Sequence, residues 1–210
     1  MAIIKSGATA DELTIDVTSK AARSTLYRPS GELIYPTLLG RYVTPIKVRQ
    51  TTAAAADTVP WALWNQNGTR TIRVLAIKWR QFFDGTAAAT LMRYEFTKVT
   101  GVTAFSGGST VTAVILRTTE GAPVSGVARL LDTGLTLTGG SHVELTAANP
   151  HGRVTQTTTV FNASEYEVNF LSGYGGSLLE LNNQEALALR LDVVAVIGDN
   201  VAGAVFWEEV

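Results

Sequence analysis

The chain has 210 residues, and its 17 lysines and arginines against 18 aspartates and glutamates give a formal charge of -1. That balance excludes the basic field on which a general nucleic-acid binder or a binder of anionic membranes depends. There is no cysteine, so disulfides, thiolate metal sites, redox motifs and a cysteine nucleophile are excluded together, and the fold suits a reducing cytoplasm.

Two zones differ in texture. The first zone, to about residue 40, is polar and interrupted; from Tyr42 onward apolar runs alternate with glycine, threonine and asparagine. The opening Met1 to Gly7 has an apolar run too short for a secretory signal. Leu13-Thr14-Ile15-Asp16-Val17 alternates apolar and polar residues, the period of a half-buried strand. Ser24 to Tyr27 and Glu32 to Tyr35 flank Arg28-Pro29-Ser30-Gly31, whose proline and glycine suit a tight turn. This predicts an extended N-terminal arm over residues 1–40, ending in a hairpin, followed by a body over residues 41–210.

In the body, strands are predicted at Tyr42–Val48, Trp61–Asn65, Thr71–Phe83, Thr90–Val99, Thr110–Arg117, Val127–Thr138, Val143–Thr146, Thr157–Phe161, Tyr166–Leu171 and Ala204–Glu208. Within the third of these, Leu75, Ile77 and Trp79 share one face, and Asn67-Gly68 just ahead of it is the strongest two-residue hairpin signal. Leu187 to Ile197 keeps strict period-2 spacing; a helix could begin at Asn183, but the β-branched run Val193 to Ile197 decides for a strand. The run is bounded by Asp192 and Asp199, far short of the about 20 apolar residues of a membrane helix. Many strands with turn-punctuated spacing describe an all-β fold, a jelly-roll-like β-sandwich.

Chemistry is sparse. His142 and His151 lie beside turn signals without a recognised metal-ligand spacing. No Gly-x-Ser-x-Gly elbow occurs, and Gly173-Tyr174-Gly175-Gly176 is neither a P-loop nor a dinucleotide fingerprint. Glu208 and Glu209 are adjacent, so on a strand they point to opposite faces and cannot flank one glycosidic bond; they read as a solvated chain end. Trp61 and Trp64 are three apart and face opposite sides of their strand, which leaves at most one in the core and argues against a paired aromatic platform for sugar. No catalytic residue, metal or cofactor is expected.

The stretch Ile4 to Tyr27, reading IKSGATADELTIDVTSKAARSTLY, resembles the leader that precedes unrelated C-terminal domains in a class of tailed-bacteriophage virion structural proteins. Ser24 and Val17 depart from the pattern, where valine and proline are expected. The resemblance implies a non-enzymatic virion component, assembled in the host cytoplasm, with a jelly-roll-like and often trimeric body: a capsid decoration or cement protein or a head-attached fibre. The alternative is a tail- or neck-attached fibre or adaptor whose sandwich binds a host glycan or receptor. The implied partners are the major capsid protein or other virion proteins and further copies of this chain, with neither nucleic acid nor membrane. Docking is expected through Leu13, Ile15, Lys20, Arg23, Leu26 and Tyr27, because an arm of this composition has too little apolar content for its own core and gains order on a partner.

Overall fold

The computed structural model describes residues 4–6, 11–15, 22–24, 40–83, 91–92, 94–116, 121–145, 154–155, 164–170, 179–192, 195 and 197–210. The chain divides into two compact units, Met1–Leu38 and Leu39–Val210. The first contains β1 (Ile4–Ser6), β2 (Asp11–Ile15) and β3 (Ala22–Ser24), paired antiparallel in the order β1-β2-β3. The expected hairpin strands at 25–27 and 32–35 lie outside the described residues.

The second unit contains β4 (Gly40–Arg49), β5 (Trp61–Asn65), β6 (Ile72–Phe83), β7 (Leu91–Met92), β8 (Tyr94–Thr100), β9 (Ala104–Ser106), β10 (Ser109–Val111), β11 (Val114–Ile115), β12 (Gly126–Leu130), β13 (Thr136–Thr138), β14 (Ser141–Glu144), β15 (Val154–Thr155), β16 (Ser164–Asn169), β17 (Leu179–Leu181), β18 (Ala186–Leu191) and β19 (Asp199–Glu209). One sheet runs β11-β4-β19-β6-β16, with β17 also on β6, and the other runs β10-β12-β5-β18-β8-β14. The protein is an all-β sandwich of antiparallel sheets. β4, β5, β6 and β8 alternate between the sheets; β14, β16, β18 and β19 return through them, so that β19 lies between β4 and β6 and β18 between β5 and β8.

Alternation explains why these segments are strands. In β4, Tyr42, Thr44, Ile46 and Val48 are buried while Lys47 and Arg49 are exposed. The inner faces meet in one core that includes Trp61, Trp79, Phe96, Leu187, Leu189 and Trp207. β18 is buried on both faces: Ala186 and Ala188 turn away from that core into a second cluster with Val59, Val99, Val102 and Leu135, against which Phe105 and Leu137 of the β9–β13 pair also pack. The outer face of this sheet is thus covered by the chain itself.

Five expectations change in the folded chain. Asn67-Gly68 does not close a hairpin, because β5 and β6 belong to different sheets and each is already paired on both sides. There Asn67 Oδ1 accepts from Thr69 N at 3.1 Å, an Asx-type turn that carries the chain across the sandwich. Thr110–Arg117 is not one strand but β10 in one sheet and β11 in the other, and Val127–Thr138 is split into β12 and β13 by a turn with Gly134 at φ 110°. Leu75 does not share the row of Ile77 and Trp79: Phe206 pairs with Ala76 and Trp207 with Val74, so Leu75 is the extra residue of a β-bulge, and the inward positions switch from Ile72 and Val74 to Ile77, Trp79, Gln81 and Phe83. The described strand in the run from Leu187 ends at Leu191; Val193, Val194 and Val196 lie outside the described residues, Ala195 forms a bridge to Ala54, and Ile197 is 61% exposed ahead of Gly198 at φ 97°.

Candidate docking surfaces

Of the six arm residues expected to dock, Leu13 and Ile15 are in β2 and Arg23 is in β3, while Lys20, Leu26 and Tyr27 lie outside the described residues. The pairing sets Leu13 opposite Ile4 on one side and Ser24 on the other, Ile15 opposite Ala22, and Thr14 opposite Arg23. Two of the six residues therefore share one strand, and a third sits on its neighbour.

His142 on β14 reaches Thr97 of β8, Nδ1 to Oγ1 at 2.9 Å. A hydroxyl beside an imidazole suggests a nucleophile and its base, but Thr97 is fully buried and no substrate can reach its oxygen. Arg190 stands on the same face, bonded to the buried Glu95 and to Asp57 at 3.1 Å. Burial first, then the Arg190 guanidinium, holds the His142 pKa below the ordinary histidine value, with Asp57 acting in the opposite direction. His151 lies outside the described residues, and among those described no group of three or more His, Cys, Asp or Glu could hold a metal ion.

The lowered pKa predicts a pH dependence. Because the unfolded chain binds the proton more readily, the neutral imidazole contributes fully above about pH 6.5. That contribution is lost as pH falls through 6.5 toward the folded value. The difference in stability between wild type and His142→Gln, followed by thermal unfolding from pH 8 to 5, should therefore shrink on acidification; a constant difference would refute the linkage.

The glutamates at the chain end are not solvated. Glu209 is fully buried, and Glu208 is 5% exposed. Glu209 Oε1 accepts from the backbone N–H groups of Val124, Ser125 and Gly126 at 3.1, 2.8 and 3.0 Å, and Arg70 Nη1 donates to Oε2 at 2.8 Å. Three successive N–H groups form a concavity that takes a carboxylate, which ties the last strand to the 124–126 segment. Glu208, on the opposite face as expected of its neighbour, pairs with Arg41 at 3.3 Å. At the other end of β19, burial first and then Asp199 push the Tyr94 phenol upward, so it stays protonated.

The tryptophans also bear on binding. Trp61, Trp79 and Trp207 are core residues, and Trp64 is half-buried with its ring edge-on to Phe105 at 5.9 Å. Trp61 and Trp64 do face opposite sides: one joins the main core, the other the second cluster.

Two concave surfaces stand out among the described residues of the body. A groove of about 530 Å³ lies along Lys78 and Arg80, with Ala202 and Gly203 on one side and Glu165 and Glu167 on the other. Gly203 is required there, since a Cβ would come within 2.3 Å of the Lys78 carbonyl oxygen. A second, more apolar groove of about 320 Å³ opens between the sheets at the β10 and β11 edges, with Leu63 and Trp207 at its floor. Beside it Val114, Ile115 and Leu116 are exposed at 57%, 40% and 49%. Sequence reading missed both grooves. The outward parity of β19, Ala202, Ala204 and Phe206, was the available signal, but it becomes visible only when residues 199–203 are included in the strand.

No protein-family model, curated protein or solved structure matches the chain.

Proposed function

We propose that the chain is a non-enzymatic structural protein of a tailed-bacteriophage virion, docked on the particle through its N-terminal unit and displaying a jelly-roll body as a capsid decoration protein or head-attached fibre. One observation carries the reading: the stretch whose sequence resembles the virion leader, Ile4 to Tyr27, falls within a unit of its own, Met1–Leu38. A unit of this size lies below the roughly 40 residues at which a domain without disulfides or metal ordinarily holds itself together, so a partner surface is the natural source of its order. The jelly roll is supported by the winding. The order β4-β19-β6-β16 against β5-β18-β8-β14 is what two Greek keys wound from one long antiparallel hairpin produce. The docking partner is the major capsid protein or another virion protein, and the body associates with further copies of itself. The burial of three tryptophans and the cover over the fourth favour this reading over a glycan-binding fibre tip, which needs exposed aromatic rings.

Deletion tests the proposal. Leu39–Val210 is a compact unit with its own clusters of buried apolar side chains, so a chain lacking residues 1–38 should fold and unfold cooperatively. It should nonetheless fail to join particles when supplied in place of the full chain. Incorporation of the truncated protein at full occupancy, measured by electron microscopy of assembled particles, would remove the basis for the docking assignment.

A further inference from the structure

The two outer faces of the sandwich are treated differently by the chain. One is covered by Phe105, Leu131, Leu135 and Leu137. On the other, that of the β4-β19-β6-β16 sheet, β19 presents Ala202, Ala204 and Phe206 beside Ala76, Lys78 and Arg80 of β6. A sheet face turned to water ordinarily carries polar side chains along its middle, and the β19 half of this face does not.

We propose that this face is a contact between two copies of the chain, related by a twofold axis running parallel to the strands between β19 and β6. The register carries the argument. Across the face, Lys47, Ala202, Arg80 and Glu165 form one row; Pro45, Ala204, Lys78 and Glu167 form the next; Val43, Phe206, Ala76 and Asn169 form the third. Rotation about such an axis lays β4 of one copy on β16 of the other and β19 on β6. Lys47 then meets the second copy's Glu165, and Phe206 falls on Ala76. Ala202 and Ala204 leave room for the long side chains of Arg80 and Lys78.

The two halves of the face thus complement each other in charge at the rim and in size at the centre, which is what an isologous contact demands of a single surface. With strands about 4.8 Å apart and outward residues about 6.8 Å apart, four strands and three rows span roughly 390 Å² in plan. A contact of this kind closes at two copies. It therefore sets aside, for the body, the threefold order implied by the leader resemblance, and it does not depend on where the N-terminal unit docks.

The test is the mass of the full-length protein in solution, measured by sedimentation at micromolar concentrations. The expected species is twice the 22.4 kDa chain mass. Lys47 and Glu165 are both exposed, so charge reversal at either leaves the fold intact, which circular dichroism verifies. Lys47→Glu sets like charges against each other at two symmetric places and should weaken dimerisation by at least about tenfold. Glu165→Lys should do the same, and the double variant should regain the dimer. A wild-type chain that stays at 22.4 kDa or forms a trimer overturns the proposal. So does a dimer indifferent to both single reversals, or a double variant no better than either.

Discussion

Replacing Glu209 with alanine should destabilise the body by about 3–5 kcal/mol, as removal of one partner from a buried charged pair commonly does. The carboxylate is fully buried and holds the N–H groups of Val124, Ser125 and Gly126 together with Arg70 Nη1. Alanine leaves those donors in the interior without an acceptor, and each unsatisfied buried group carries its own desolvation penalty of about 1–3 kcal/mol. Glu209→Gln keeps a carbonyl oxygen for the backbone donors but loses the charge opposite Arg70, so a smaller loss is expected. Glu208→Ala is the control: its partner Arg41 is 40% exposed, and a pair of that kind contributes about 1 kcal/mol or less. Urea denaturation of the three variants measures these differences. Equal losses for Glu208→Ala and Glu209→Ala would mean that the chain end contributes strand pairing alone.

Trp207→Ala should cost a similar about 3–5 kcal/mol, the range for truncating a large aromatic side chain in a core. The indole is 1% exposed, stands 4.6 Å from the Tyr42 ring, and donates from Nε1 to the buried Thr44 Oγ1 at 2.8 Å. It also lines the apolar groove at the β10 and β11 edges, so truncation would join a new cavity to an existing opening. The backbone of β12 in the facing sheet is fitted to this ring: a Cβ at Gly126 would lie 2.4 Å from its Cη2. Trp64→Ala, on the half-buried side of β5, should lose markedly less. A loss at Trp64 equal to that at Trp207 would show that the second cluster, under the β9–β13 pair, holds the body together as firmly as the main core.

These two tryptophans also mark the boundary between local and long-range information. The parity of Trp61 and Trp64 follows from their spacing alone, because side chains on a strand alternate, and the fold keeps it. The same rule made β4, β5, β6 and β8 legible, since each alternates or is bounded by turn residues, and the absence of cysteine excluded whole classes of chemistry before any coordinates. Where two stretches each read as one strand, the chain instead changes sheet at Thr112-Ala113 or turns at Gly134. Short polar residues between apolar runs are compatible with a strand or a break, and only pairing partners choose between them.

Long-range pairing also decided what the glutamates and the alanines do. Glu209 reads as a solvated end because two adjacent acids are usually hydrated, yet β19 is the central strand of its sheet and delivers the carboxylate to donors more than 80 residues away in sequence. Leu75 fits the row of Ile77 by spacing, but one unpaired residue in β6 moves it out of that row. The proposed self-contact is invisible in sequence for the same reason. Its rows join Lys47, Ala202, Arg80 and Glu165, four residues from four strands, and no window along the chain contains even two of the cross-strand partners. Local composition and period fixed which segments become strands and that the fold is all-β. Hydrogen-bonded pairing between distant segments, which places those strands side by side, decided which charges are buried and which side chains share a surface.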